Sequence, residues 1–293
     1  MKKKVYLGLT CPPLDFESLD LGNQAYLVKT YASLFAPFML SFTRPTASKR
    51  YGEPWKAANG GLNFVINAQA EFEILAKSKL TEDEQISHFV ALLRISISPE
   101  ILCPFISNGP FLNAEDAVKA DVTFYPYETE SIYTRFTNAE SKKVTESKSV
   151  WMRENWHSSM LFAGENKQYK LAVEILGKVQ HFHSRGMALV AICGVLESFY
   201  LQNRSELSFR LALFIAAYLG NTGKDRISYF NTAKKVYAAR SASAHSSEDC
   251  PVEPLLDAIH LLRLTVWAAL SNKKLPKVED LDVLLLNPQF DQF

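Results

Sequence analysis

An arginine and a histidine five positions apart, Arg240 and His245, are the residues of this chain whose types and spacing best suit chemistry on a phosphate. A histidine side chain, with an ordinary pKa of about 6.5, can take up and release protons near neutral pH. An arginine guanidinium stays charged, and its forked N–H groups can hold phosphate oxygens. RNA supplies its own nucleophile, the 2′-hydroxyl. The pair therefore predicts metal-independent RNA cleavage that leaves 2′,3′-cyclic phosphate ends.

The stretch that leads to this pair is locally basic. Residues 204–245 carry seven basic and two acidic side chains, although the whole chain has a net charge of only +1. Such an excess is more often a solvated helix surface than a binding face. It also permits contacts with RNA phosphates, for which the candidate residues are Lys234, Lys235 and Arg226.

Helical spacing separates the two candidate catalytic side chains. At 100° per residue, Arg240 and His245 differ by about 140° around a straight helix, so one helix does not easily present both to a single phosphate. Two arrangements would reconcile them: the helix ends near Ala244 and His245 folds back, or a second subunit completes the site. Ser241 and Ala244 are small enough to let two copies of the helix approach closely. This pattern favours a homodimer or a higher oligomer.

Three further residues are candidates for a supporting role. Glu197 is the only charge in the apolar segment 187–201. We interpret it first as a structural carboxylate that pairs with a cation across a helical bundle, and second as a residue that positions the catalytic pair. Tyr237 is interpreted mainly as core or interface packing, with base stacking as the alternative. Ser241 follows the arginine directly and supplies a polar side chain beside it.

Composition excludes several other classes of function. The four cysteines are far apart, which predicts free thiols in a reducing compartment. Metal-ligand spacings and cofactor motifs are absent from the sequence, so we expect neither a metal nor a cofactor. The apolar start of the chain is too short for a secretory signal, and no apolar run approaches the roughly 18 residues of a membrane span. These patterns predict a cytoplasmic protein with no membrane partner.

Hydrophobic periodicity predicts an α+β domain over residues 1–136. Its role is unknown from the sequence, and the two candidate roles are sensing a trigger and selecting the substrate. Its helix begins after Thr81, with Glu84 at the capping-box position. The predicted strands are a partly alternating segment over 61–74, an isoleucine-rich pair of strands over 95–106, and an edge strand over 121–127, where Pro126 cannot donate a hydrogen bond.

Helical periodicity dominates the second part of the chain. Residues 137–149 are predicted to be a linker, residues 150–275 an up-and-down bundle of five helices, and residues 276–293 a tail. One helix is expected to start at the N-cap Ser205 and to end at Gly220. The helix that carries Arg240 is predicted from an apolar stripe that starts at Phe230.

Three segments together resemble the Apea-like branch of the HEPN superfamily: Leu196-Glu197, residues 205–220 (SELSFRLALFIAAYLG) and residues 236–245 (VYAARSASAH). The resemblance covers about residues 186–271. It implies an all-α helical bundle, dimerisation through the helix that carries the motif, and metal-independent ribonuclease activity in prokaryotic defence or toxin systems. Arg240 and His245 match the catalytic pair of that family.

The predicted architecture is thus an α+β N-terminal part followed by an all-α HEPN-type helical bundle. The predicted function is an endoribonuclease that acts in antiphage defence or as a toxin. Its expected partners are an RNA substrate, with tRNA as one candidate, another copy of the chain, and a phage-derived trigger or inhibitor. The alternative is a non-catalytic HEPN module used for dimerisation or partner binding.

Overall fold

The computed structural model of the chain describes residues 3–44, 46–47, 52–111, 121–129, 132–133, 143–201, 207–245 and 250–286. The chain divides into two compact units. The sheet unit comprises Met1–Ile74, Glu100–Glu130 and Ala139–Ser147, and the helical unit comprises Leu75–Pro99, Ser131–Asn138 and Lys148–Phe293. The predicted mixture of a sheet-containing part and a helical part is confirmed.

The sheet unit contains one antiparallel sheet of six strands within the described residues, in the order β2-β3-β4-β1-β5-β6. The strands are β1 (Lys4–Thr10), β2 (Ser18–Asp20), β3 (Tyr26–Thr43), β4 (Gly52–Glu73), β5 (Leu102–Ser107) and β6 (Phe124–Pro126). Strand β6 lies at the edge of the sheet, as predicted for residues 121–127 from the missing N–H of Pro126.

The central strands bury one face of the sheet. In β1, Val5, Leu7 and Leu9 are buried, and they lie opposite Phe72, Ala70 and Ala68 of β4. Alternate side chains of a strand point to opposite faces, so this pairing places all six on the same apolar face.

The helical unit contains eight α-helices within the described residues. They are α1 (Glu82–Ser96), α2 (Val150–Glu165), α3 (Lys167–Lys178), α4 (Arg185–Tyr200), α5 (Leu207–Leu219), α6 (Gly223–His245), α7 (Val252–Ser271) and α8 (Val278–Leu286). The prediction of five helices over residues 150–275 is wrong, because extended backbone at Asn166 divides the first helical stretch into α2 and α3. Helix α8 falls in the predicted tail. The predicted N-cap Ser205 lies outside the described residues.

Helix α1 groups with the helical unit, although the predicted boundary placed it in the α+β domain. Its capping box is confirmed: Thr81 Oγ1 accepts from Glu84 N at 3.3 Å, and Glu84 Oε2 accepts from Thr81 N at 2.8 Å. The isoleucine-rich stretch over 95–106 does not form two strands. Its first residues complete the buried last turn of α1, and only Leu102–Ser107 forms a strand.

The described part of the predicted linker, residues 143–149, is packed. Val144, its one large apolar residue, is buried and forms a β-bridge with Leu14. A short 3-10 helix, Glu146–Ser149, then leads into α2. Burial of Val144 therefore anchors residues 143–147 in the sheet unit, and the helical unit begins at Lys148.

By length and composition, helix α7 is apolar enough to cross a membrane, although Glu253, Asp257 and Arg263 interrupt its apolar residues. Its residues Leu255, Leu262 and Val266 are nevertheless buried within the helical unit. Thr265 of α7 and Tyr200 of α4 share a buried hydrogen bond of 2.8 Å between their hydroxyl groups. The central helix of a helical bundle meets the same criteria, so this helix is a weak indication of a membrane span.

A buried histidine connects α1 to its neighbours. His88 Nε2 lies 2.9 Å from Ser159 Oγ in α2, and Ser159 Oγ lies 2.8 Å from the Tyr169 hydroxyl of α3. Burial, together with the charge of Lys170, lowers the pKa of His88 to about 3. The ring is therefore neutral in the folded protein at pH values where the unfolded chain begins to bind a proton.

We predict that His88 makes the protein less stable as the pH falls from 7 to 5. The unfolded chain has an ordinary histidine pKa of about 6.5, so it takes up a proton in this range that the folded protein excludes. The melting temperature of the wild type should fall across this range, and His88→Gln should flatten the slope. The half-buried His157 provides a matched control, because His157→Gln should keep the wild-type slope. Parallel slopes for His88→Gln and the wild type would contradict the assignment.

Candidate functional site

Helix α6 carries most of the candidate residues, and it begins seven residues before the predicted apolar stripe. Thr222 and Asp225 cap its first turn: Thr222 Oγ1 accepts from Asp225 N at 3.2 Å, and Asp225 Oδ2 accepts from Thr222 N at 3.3 Å. This reciprocal arrangement satisfies N–H groups that have no partner within the helix. At the other end of α6, a Cβ atom on Gly186 would lie 3.4 Å from Ser243 Cβ, so the last turn of α6 lies against the first turn of α4.

Tyr237 of α6 fixes the position of Glu197 of α4. The tyrosine side chain is buried, and its hydroxyl donates to Glu197 Oε1 at 2.8 Å. The same hydroxyl lies 3.3 Å from the backbone carbonyl oxygen of Cys193, one helical turn earlier in α4. The core-packing interpretation of Tyr237 is thereby confirmed, and its hydroxyl adds a polar contact between the two helices.

Glu197 in turn pairs with Arg240. Arg240 Nη2 lies 3.8 Å from Glu197 Oε1, the carboxylate oxygen that also accepts from Tyr237. The interpretation of Glu197 as a partner for a cation across the helices is confirmed by this geometry. The side chains of Arg240 and Glu197 are 37% and 27% exposed, so the ion pair lies at the rim of the packed interior.

Arg240 retains unused hydrogen-bonding capacity. Its Nε is shielded from solvent and has no hydrogen-bond partner among the described residues. The guanidinium has five N–H donors, and the single ion pair at 3.8 Å uses few of them. An unsatisfied buried donor is costly. A bound anion with several oxygens could satisfy the donors that remain.

An open cleft of about 880 Å³ lies beside this arginine. Helices α4, α5 and α6 line the cleft with Glu197, Ser208, Phe209, Lys234, Tyr237, Ala238, Arg240 and Ser241. It contains two cations, one carboxylate, three hydroxyl groups and two aromatic rings from separate parts of the helical unit. The cleft therefore offers two cationic side chains and the exposed ring of Phe209, a combination suited to a ligand that carries both phosphate and a flat base.

Burial has a strong effect on the acidity of the groups beneath the cleft. It raises the pKa of the Tyr237 hydroxyl far above its usual range, and the neighbouring Cys193 and Glu197 act in the same direction. Burial also raises the pKa of the Cys193 thiol to about 12. Neither group is therefore a proton donor or a nucleophile near neutral pH. A group that exchanges protons with a ligand at this site must therefore be a residue other than Tyr237 and Cys193.

The structure does not bring all of the candidate residues together. Lys234 lines the cleft, and its Nζ lies 5.5 Å from the ring centre of Phe230. Lys235 is exposed and is not among the residues that line the cleft. Arg226 lies at the start of α6, where its Nε donates to the Gly220 carbonyl oxygen at 3.2 Å. This contact satisfies the C-terminal end of α5, so Arg226 is better described as a capping residue.

The end of α6 lies one residue beyond Ala244, near which one of the two arrangements from the sequence places it. Helix α6 continues through His245, so the angular separation of about 140° from Arg240 remains. The side chains of His245 and Ala244 lie outside the described part of the structure. Both arrangements considered from the sequence, a His245 that folds back and a second subunit that completes the site, therefore stay predictions.

Two residues of the cleft were missed in the sequence. Phe209 of α5 is half-exposed, and its ring meets Phe230 edge to face with centroids 5.7 Å apart. Ser208 precedes it at the same wall. The sequence alone did not identify Phe209 as a cleft residue, because its exposure becomes apparent only when the side of α5 that faces α6 is known.

Comparisons with protein-family models, with curated proteins and with solved structures each found no match. Among the described residues, no cluster of three or more histidine, cysteine, aspartate or glutamate side chains could hold a metal ion. The four cysteines are free and buried, as the sequence indicated. The geometry around Arg240 is therefore the main structural indication of a function.

We predict that Tyr237→Phe lowers the free energy of unfolding by about 1 kcal/mol, the net contribution of a typical hydrogen bond. The substitution removes the donor to Glu197 and leaves the buried ring in place. Urea unfolding measures this loss. Tyr229→Phe on the same helix is the matched control, because none of the described contacts involves its hydroxyl, and it should stay within about 0.5 kcal/mol of the wild type. Equal stability of both variants would refute the anchoring role of Tyr237.

Proposed function

We propose that this chain is a metal-independent endoribonuclease of the HEPN type. One observation carries the proposal: Arg240 stands at the rim of an open cleft, paired with the half-buried Glu197 that the buried Tyr237 holds, and donors of its guanidinium are left for a ligand. The helical unit supports it as well, because α4, α5 and α6 coincide with the three segments that resemble the HEPN superfamily. The N-terminal sheet unit would sense a trigger or select the substrate.

The proposed reaction uses the nucleophile that RNA carries. The His245 of one of the two subunits removes the proton from a 2′-hydroxyl, and that oxygen attacks the adjacent phosphorus. The bond from phosphorus to the 5′-oxygen breaks, and a histidine returns a proton to that oxygen. Arg240 stabilises the additional negative charge on the phosphorane. The products carry a 2′,3′-cyclic phosphate and a 5′-hydroxyl.

Four other side chains that line the cleft have proposed roles in binding RNA or a second subunit. Lys234 would hold a flanking phosphate, and Phe209 offers a ring on which a base can stack. Ser241 and Ala238 are exposed, and small side chains there permit another helix to approach. The composite site therefore requires at least a homodimer formed through α6, which would bring the Arg240 of one copy near the His245 of the other.

The biological setting follows from the same resemblance. We place the enzyme in the cytoplasm, where RNA is available, and in antiphage defence or a toxin system with a phage-derived trigger or inhibitor. Transfer RNA is the first substrate to test. No membrane partner and no cofactor are needed for the proposed reaction.

A non-catalytic role is the second candidate, and one observation favours it. Arg240 already has an ion-pair partner in Glu197, as a purely structural arginine would. In that case the helical unit would serve dimerisation or partner binding. The first of the following two experiments separates the candidates.

We predict that Arg240→Ala and His245→Ala each remove most of the activity. Loss of the charge that stabilises the phosphorane should cost about 10²–10³ in rate, and loss of acid–base help about 10²–10⁴. The double variant should be little worse than either single variant, because both residues act in one transition state. Single-turnover cleavage of a labelled tRNA measures these rates. Lys224→Ala removes an exposed charge from the first turn of α6 and should retain activity. If the double variant cleaved RNA like the wild type, the enzyme proposal would fail.

We also predict that cleavage proceeds without a divalent metal. Addition of EDTA should leave the rate unchanged within about twofold, because the proposed chemistry uses only histidine and arginine. An unstructured RNA oligonucleotide should be the substrate, since its conformation does not depend on magnesium. Loss of cleavage in EDTA that manganese or magnesium restores would point to a metal-dependent nuclease.

A further inference from the structure

A second cleft, of about 490 Å³, lies in the helical unit where α4 and α7 end. Its walls come from α2, α3, α4 and the segment that joins α7 to α8. Three lysines line it, Lys273, Lys274 and Lys277, and we call it the lysine cleft. Among the described residues that line it, none is acidic, and none belongs to the cleft beside Arg240.

Hydrogen bonds and ring packing hold the wall that α2, α3 and α4 contribute. Gln168 Nε2 donates to the Ser198 carbonyl oxygen at 2.9 Å and so joins α3 to α4. Asn166 Nδ2 donates to the Phe162 carbonyl oxygen at 3.0 Å. The Phe162 ring meets the buried Tyr169 ring edge to face, with centroids 4.8 Å apart. This wall is therefore formed before any ligand binds.

The charges of the lysine cleft have one sign and are only partly compensated. Lys274 Nζ pairs with Asp280 Oδ2 at 2.6 Å. Lys273 and Lys277 are exposed, and neither forms an ion pair with a described residue. A cleft lined by charges of one sign concentrates the electric field and attracts ions of the opposite sign. Two positive charges of the lysine cleft are therefore available to an anion.

Lys273 occupies a backbone position that usually belongs to glycine. Its φ is +50°, in the left-handed region. It is the first residue beyond the cap of α7 in a Schellman motif: Lys273 N donates to the Leu270 carbonyl oxygen, and Lys274 N donates to the Ala269 carbonyl oxygen, both at 3.1 Å. Because a side chain with a Cβ is strained at positive φ, a lysine is less stable here than a glycine.

The end of α7 does not require the charge of Lys273. A cation beyond the C-terminal end of a helix is favourable for the helix dipole. Lys274 already places a cation there, without a positive φ. A strained residue that the fold does not need indicates a contact with a ligand.

We infer that the lysine cleft binds a phosphate ester, with Lys273 and Lys277 as the residues that contact the phosphate. A lysine ammonium group binds phosphate as a point charge. Apolar side chains of the wall, among them Phe162, Leu201 and Pro276, suit the organic part of the ester. The volume falls within the range of about 300–1,000 Å³ that is usual for small-ligand sites. The ester is part of an RNA backbone or of a free nucleotide, and the two sources share this chemistry.

Binding of two probes to the full chain tests the inference and distinguishes the sources. One probe is a fluorescein-labelled RNA with 2′-O-methyl groups throughout, which the proposed nuclease cannot cut, and the other is ATP. The double variant Lys273→Gly with Lys277→Ala should bind at least one probe about tenfold more weakly at low salt, because two phosphate contacts are lost. For the RNA, the slope of log Kd against log salt concentration should also fall by about two. Weaker binding of ATP alone identifies a free nucleotide, and weaker binding of the RNA identifies the RNA backbone.

A matched control removes the same number of charges. The double variant Lys178→Ala with Lys224→Ala replaces two exposed lysines of the helical unit that line neither cleft, and it should bind like the wild type. Equal binding by the two double variants would overturn the inference. So would a wild type that binds neither probe. These results do not depend on RNA cleavage, so failure of the lysine cleft and failure of the proposed nuclease are distinguishable.

Thermal melting tests the argument from the backbone of Lys273. Lys273→Gly alone should raise the melting temperature by about 2–4 °C, because glycine adopts a positive φ without strain. Circular dichroism of the full chain measures this shift and shows that the variant is folded. A lower melting temperature would mean that Lys273 serves the end of α7, and it would overturn the assignment of this lysine to a ligand.

Discussion

The hydrogen bond from the buried Tyr237 hydroxyl to Glu197 is the interaction on which the geometry of the candidate site depends. A buried hydroxyl requires a partner, and a carboxylate is a stronger acceptor than a neutral oxygen. Glu197 is therefore held at one position on α4, and Arg240 is held one turn beyond Tyr237 on α6. Arg240 keeps its place beside the cleft only while α4 and α6 remain packed around Tyr237 and Glu197.

Local signals in the sequence were sufficient where a helix terminus carries its own chemistry. The capping box of Thr81 and Glu84 identified the start of α1, because both bonds lie within four residues. Thr222 and Asp225 carry the same kind of signal for the start of α6. The sequence prediction relied on the apolar stripe that begins at Phe230 and therefore placed the start of this helix too late. The isoleucine-rich stretch after residue 95 was assigned to strands, since a short apolar run does not distinguish a buried strand from a buried helix end.

Long-range features were less accessible to sequence reasoning. Glu197 and Tyr237 are 40 residues apart, so their contact is set by the crossing of two helices. The lone charge in an apolar helix still marked Glu197 as a residue that needs a partner. The extension of β3 and β4 was missed for a different reason. Most strands have five or six residues, so nothing in the sequence predicted strands of 18 and 22 residues.

The chain contains two compact units, a helical unit in which Arg240 is paired with Glu197 and a sheet unit built on one antiparallel sheet. The central proposal is that RNA is cut by its own 2′-hydroxyl, and the chemistry of the cut ends tests this proposal most directly. Mass spectrometry of a defined RNA after incubation with the purified full chain would identify those ends. The account predicts fragments that end in a 2′,3′-cyclic phosphate, with 5′-hydroxyl groups on the downstream products. Fragments with 3′-hydroxyl and 5′-phosphate ends, or RNA that stays intact, would contradict it.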